Sequence, residues 1–308
     1  MNTPNSIHAQ AGTQNSSRKN RFARDLLDWY DRHARTLPWR MPPARSKAGE
    51  LPDPYHVWLS EVMLQQTQVT TVRDYYLKFL AEWPSVKALA SADNEDVMKA
   101  WAGLGYYSRA RNLKKCAETV ATDLNGEFPS NIDDLKKLPG IGDYTSAAIA
   151  AIAFQKPVAV VDGNIERVIT RQYEINRPVR DAKSEIKEIV TTLLAEDRPG
   201  DFAQAMMDLG ATLCSPKKPA CGRCPVSETC GALHSGTVET FPVKLAKTAK
   251  PIRKGAAFII QNQDGSVYLQ KRKEAGLLGG MTEVPGTHWT ARIDGETGKS
   301  ALPVQGEW

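Results

Sequence analysis

"LKKLPGIGDYTSAAIAAIA", residues 135–153, sets a short glycine-bearing turn between two helical patterns. Its centre is Leu138-Pro139-Gly140-Ile141-Gly142. Glycine lets the backbone turn tightly and leaves amide N–H groups facing outward at the start of the next helix, a site for one phosphate. An ordinary helix–helix turn uses the same spacing. Asp143 stands where it can cap a helix running to Phe154, and the small residues Ala147–Ala153 suit that helix to close burial.

Outward from this turn the chain reads as helical from about Phe22 to Leu213. Across 56–81, Trp58, Val62, Val69, Val72, Tyr76 and Phe79 recur at helical intervals, and Phe202, Met206, Leu209 and Leu213 form another stripe. An all-α domain is predicted. The 308 residues, 41% hydrophobic and 24% charged, are enough for two globular domains. Ala147–Ala153 is far too short an apolar run to cross a bilayer, so a membrane partner is not expected. Residues 1–20 are polar, with no apolar core like that of a signal peptide; they read as a disordered tail, and the protein as cytoplasmic. A net charge of +5 permits a polyanionic partner without requiring one.

The second helical stripe runs into "CSPKKPACGRCPVSETC" (214–230), where Cys214, Cys221, Cys224 and Cys230 are spaced C-x6-C-x2-C-x5-C. In a reducing compartment such a cluster is more often a metal site than a pair of disulfides. Zinc wants two short knuckles and only one is present, so the chemistry favours a four-thiolate iron–sulfur cluster, with zinc as the alternative. Lys217, Lys218 and Arg223 between the cysteines would be held ready for phosphates.

Two carboxylates stand out. Asp162, in "VAVVDGNIERVI" (158–169), opens a helix and is as good an N-cap as a catalytic group. Glu61, in "VWLSEVMLQQTQV" (57–69), precedes an apolar-stripe residue and belongs at the edge of a buried face. Desolvation there would raise its pKa, as a general acid needs.

The cysteine spacing and L-P-G-I-G together resemble the endonuclease III superfamily of helix–hairpin–helix base-excision DNA glycosylases. The resemblance implies a structural 4Fe–4S cluster on Cys214, Cys221, Cys224 and Cys230, and a hairpin of Leu138, Gly140 and Gly142 on DNA phosphates. Asp162 would stabilise the oxocarbenium ion, supported by Asn164. The segment around Glu61 is similar to the adenine DNA glycosylase branch, which removes adenine mispaired with 8-oxoguanine and in which the matching glutamate protonates N7 of adenine. By the same resemblance Trp39 and Arg40 line the adenine pocket and Gln204 contacts the flipped base. Gln66 enters the base stack, and Tyr106 is wedged beside 8-oxoguanine. Tyr144 stands where endonuclease III carries its Schiff-base lysine, which implies a monofunctional enzyme. The expected partner is double-stranded DNA with a mispaired adenine, met by a monomer.

The expected organisation is a tail (1–20), a helix–hairpin–helix glycosylase domain (21–232) and a basic linker (233–254). A second domain (255–308) opens on "AAFIIQNQDGSVYLQKR" (256–272), a β-hairpin signature. That part resembles, through "GLLGGMTEVPGTHW" (276–289), an incomplete α+β Nudix-like domain without the acidic catalytic box. Residues 42–52 read as an insertion.

Overall fold

The structure, a computed structural model, describes residues 21–245, 251–273, 279–287, 289–290, 292–297 and 301. The expected tail lies outside the described residues, as does 246–250 of the expected linker. The chain divides into two compact units, Met1–Leu104 with Arg109–Leu245, and Gly105–Ser108 with Ala246–Trp308.

The first unit is helical. Helix α1 covers 21–33, and α2 (Pro43–Lys47) occupies the segment expected as an insertion. Next come α3 (Pro54–Leu64), capped by the Asp53 carboxylate, and α4 (Val69–Glu82). The single stripe expected over 56–81 is therefore two helices. The cause is burial: α3 is buried almost all round from Tyr55 to Met63, while α4 buries only Val72, Tyr76 and Phe79, so each needs its own direction. Between them Gln65 leaves helical backbone with a ψ of 114°, and Gln66 follows at a left-handed φ of +59°.

Short helices α5 (Val86–Ser91) and α6 (Asn94–Ala100) are capped by Ser85 and Asp93; α7 (Ser108–Asp123) and α8 (Ile132–Leu135) follow. The 138–142 turn leads from α8 into α9 (Asp143–Phe154). Gly140 sits at φ +76°, and a Cβ there would come within 2.7 Å of Asn112 Cβ, so the hairpin needs glycine on two counts. Asp143 does not cap α9 as expected. Gly142 occupies that position, and Asp143 is the first helical residue, paired across the turn with Lys136 at 2.5 Å. A carboxylate in the first turn still complements the helix dipole.

Helices α10 (Gly163–Gln172), α11 (Val179–Leu193) and α12 (Pro199–Thr212) complete the core. Helix α9 packs on α3 and α12, and α12 on α10. Every residue of α12 from Pro199 to Gly210 is buried, so the stripe expected there is a helix enclosed on all sides. After the cysteine loop, α13 (Gly231–His234) and Phe241 pack with Cys230, Ala232, Leu233, Val238 and Val243. Arg171 Nε donates to the carbonyls of Val238 and Phe241 at 3.0 and 3.3 Å. Packing thus continues past 233, where the linker was expected to begin.

In the second unit the hairpin closes through an antiparallel bridge of Gln261 with Val267, and Ala257 bridges onward to Gly286. Asn262 N donates to Ser266 O at 2.8 Å, and Gly265 supplies a φ of +86°. Strands β1 (Gln270–Lys271) and β2 (Thr282–Glu283) pair antiparallel. No helix among the described residues is long and apolar enough to cross a membrane.

Candidate active site

Three elements converge. Helix α3 brings Glu61, the start of α9 brings Tyr144, and the start of α10 brings Asp162. Glu61 is not at the edge of a buried face but inside it, only 7% exposed. Tyr144 Oη donates to Glu61 Oε2 at 2.8 Å. Burial pushes the Glu61 carboxyl above the usual carboxylate range and Asp162's charge adds to the rise; the Tyr144 hydrogen bond and the Arg40 charge pull the other way. The Tyr144 phenol is likewise held well up, first by burial and then by the charges of Glu61 and Asp162, so it stays a donor.

Asp162 does cap α10. Its Oδ1 accepts from Ile165 N at 2.8 Å, and its Oδ2 accepts from Asn164 Nδ2, also at 2.8 Å. The cap and any chemistry at this carboxylate are therefore not alternatives, because the capping bonds themselves fix its orientation. Asn164 Oδ1 accepts from Arg167 Nη2 at 2.9 Å. Arg167 also donates to Gly210 O at 2.7 Å and, through Nε, to Cys214 O at 2.8 Å. A Cβ on Gly210 would lie 2.6 Å from Asn164 Cβ, so glycine is what lets α12 approach α10 this closely.

Trp39 is buried edge-on to Tyr76, with ring centroids 5.4 Å apart. Its neighbour Arg40 donates through Nη1 to Asp208 Oδ1 at 3.1 Å. Gln204 is buried in α12, one turn before Asp208, with its amide bonded back to Gly200 O at 3.3 Å. Gln66 and Tyr106 are exposed side chains on left-handed backbone, at φ +59° and +47°. Leu138 is buried under the hairpin, while Gly140 and Gly142 face solvent.

Sequence reasoning missed Asp208, Arg35, Arg167 and Arg109. Arg109 Nη1 donates to Val62 O (3.0 Å) and Met63 O (2.8 Å), the end of α3. Its Nη2 reaches Thr67 Oγ1 and Leu104 O, both at 3.0 Å. The signal available was a charged residue inside an apolar helix pattern, which for Asp208 is "FAQAMMDLG".

The four loop cysteines line one cavity, walled by Val168, Leu209, Leu213 and Val226. Arg171, 1% exposed, donates from Nη1 to Cys214 Sγ at 3.2 Å and to Ser215 O at 2.9 Å. Lys217, Lys218 and Arg223 are exposed between the ligand positions. No cysteine is in a disulfide.

These helices and this turn are those of a known class. The family of HhH-GPD superfamily base excision DNA repair proteins matches residues 59–196. A solved structure of a thermostable thymine-DNA glycosylase, 29% identical, superposes with a TM-score of 0.62 over 71% of this chain and 98% of that one. An adenine DNA glycosylase of Mus musculus is 47% identical over 310 residues, 86% of this chain and 60% of that protein. One from Schizosaccharomyces pombe is 33% identical over 337 residues, 91% of this chain and 73% of that protein. The chain belongs to the adenine DNA glycosylase family. It spans about half the length of several of its relatives.

Proposed function

We propose that the chain is a monofunctional adenine DNA glycosylase that removes adenine mispaired with 8-oxoguanine or guanine in double-stranded DNA. The observation that carries this is the buried Glu61 carboxyl, hydrogen-bonded by Tyr144 and flanked by Asp162 and Arg40. A carboxyl that burial biases toward its protonated form can give that proton to a purine nitrogen. The N-glycosidic electrons then leave with the neutral base, and the sugar becomes an oxocarbenium ion. Asp162, aimed by Asn164, supplies negative charge to that cation. Water completes the reaction at the sugar carbon, losing its proton to the carboxylate that Glu61 has become, so the acid is regenerated. Tyr144 cannot form an imine, and the strand is left intact at the abasic site.

In this reading Trp39, Arg40 and Gln204 form the pocket for a base taken out of the stack, Gln66 fills the space it leaves, and Tyr106 stands by the opposing base. Leu138, Gly140 and Gly142 present the hairpin to a phosphate. Cys214, Cys221, Cys224 and Cys230 hold a 4Fe–4S cluster. What supports this is that all four line a single cavity and that their spacing along the chain offers only one short knuckle, where zinc wants two. Bound there, the cluster would fix the shape of the loop that carries Lys217, Lys218 and Arg223. The residues beyond the linker are read as a Nudix-like unit.

The test is incubation with duplexes carrying adenine opposite 8-oxoguanine, guanine or thymine, followed by alkali. Adenine release from the first two, with strand breaks appearing only after alkali, is expected; breaks before alkali at the rate of base release would defeat the monofunctional reading. Glu61→Gln should lower single-turnover release on the order of a hundred- to ten-thousand-fold and leave duplex binding in place.

A further inference from the structure

Asp208 is 0% exposed in α12, which is buried from Pro199 to Gly210, and two arginines converge on it. Arg35 donates its backbone N–H (3.0 Å) and its Nε (2.6 Å), the latter to Oδ1; Arg40 donates to the same Oδ1. Arg40 itself is nearly buried, with 9% of its side chain exposed. The groups that bear on it are Asp208, Tyr30 and Glu61. Those that bear on Glu61 are Tyr144, Arg40 and Asp162. One cation therefore stands between two buried carboxyls: it is hydrogen-bonded to one, and its field reaches the other.

We infer that Asp208 is a positioning residue: it holds the Arg40 guanidinium in a buried ion pair, so that the proton donor Glu61 faces a neutralised pair rather than an unopposed cation. This rests on the reading of Glu61 as that donor. A bare guanidinium beside a carboxyl stabilises the carboxylate and discharges the acid before substrate arrives. A guanidinium already committed to Asp208 still presents N–H donors to the pocket but exerts a weaker net field at Glu61. Burial of Asp208 is what makes the arrangement effective, because an enclosed pair is screened little by water or salt. The arrangement also explains why a second carboxylate, besides Asp201 near its start, is tolerated inside so buried a helix.

The test is Asp208→Asn in the full chain. With carbon-13-labelled glutamate, the Glu61 resonance is identified by its loss in Glu61→Gln, and its titration is followed with and without Asp208. The expected result is a midpoint lowered by about one pH unit or more, the scale of an opposite charge at close range. Single-turnover release from an adenine:8-oxoguanine duplex should fall about tenfold at neutral pH and recover as pH is lowered, because one pH unit is a tenfold change in the protonated fraction. Asp208→Asn leaves two cations without their anion and is expected to cost stability. The double variant Asp208→Asn with Arg35→Gln removes one of those cations; it should regain stability and keep the lowered midpoint. A midpoint at or above the parental value in both variants overturns the inference, as does a rate lost equally at every pH. If the parent releases no adenine from any duplex, the proton-donor reading fails separately, and the Glu61 midpoint still decides the role of Asp208.

Discussion

Tyr144→Phe tests the centre of the site with a known sign. The phenol donates to Glu61 Oε2 at 2.8 Å, and a donor to a carboxyl favours its ionised form. Taking the hydroxyl away removes that stabilisation, so the Glu61 carboxyl, already raised by burial, rises further. Hydrogen bonds to charged groups contribute about 1.5–3 kcal/mol and those between neutral groups about 0.5–1.5, and only the difference moves the midpoint, so the rise should be about one pH unit. The fraction of enzyme with a protonated donor then persists to higher pH. In single-turnover adenine release measured against pH, the alkaline fall-off should move up by that amount, opposite in direction to the shift expected for Asp208→Asn. Stability carries a matching sign. A carboxyl whose folded pKa is raised binds its proton more tightly when folded, so this contribution is present at low pH and is lost as pH rises from the unfolded value through the folded one. Thermal unfolding of the variant should show that decline over a wider pH window. A fall-off that stays in place or moves down would show that this carboxyl is not the group whose protonation limits the reaction.

Asp162→Asn keeps an N-cap side chain and removes the charge, so melting should stay close to parental while excision falls steeply; Asp162→Ala should lose about 1 kcal/mol of stability as well. Equal rates for Asn and parent would leave Asp162 with the cap alone. Cys221→Ser should lose the visible absorption of purified protein together with much of the salt-dependent duplex affinity; unaltered binding without colour would separate the loop's cations from the metal. Gly210→Ala pushes a Cβ to within 2.6 Å of Asn164 Cβ, so excision should drop by more than duplex binding does. Normal excision by this variant would mean that Asn164 need not hold its present place.

What the sequence disclosed depended on how far each cause reached along the chain. The hairpin was legible because a tight turn writes its glycines locally, and the Asp162 cap because its partner Ile165 lies three residues on. Glu61 was recognised as a group to be desolvated, but its depth was underestimated. Burial of α3 on nearly all sides comes from α9, which follows about eighty residues later. The break between α3 and α4 escaped notice for a related reason, since apolar residues kept a helical interval across a turn whose left-handed Gln66 has no glycine to announce it. Asp208 was invisible as a site because Arg35 and Arg40 reach it from 173 and 168 residues away. No periodicity records a partner at that distance.

Arg109 gives the site one property that its chemistry alone does not suggest. By gripping the last carbonyls of α3 and the Thr67 hydroxyl together, it rivets the helix bearing Glu61 to the turn bearing Gln66. A side chain that displaces a base, as proposed for Gln66, needs a footing, and here the footing is the helix that bears Glu61. Helix α3 is in turn packed against α9. In the proposed reading, base displacement by Gln66 and proton delivery by Glu61 would then share one support, so that a shift of the turn would be felt at the carboxyl.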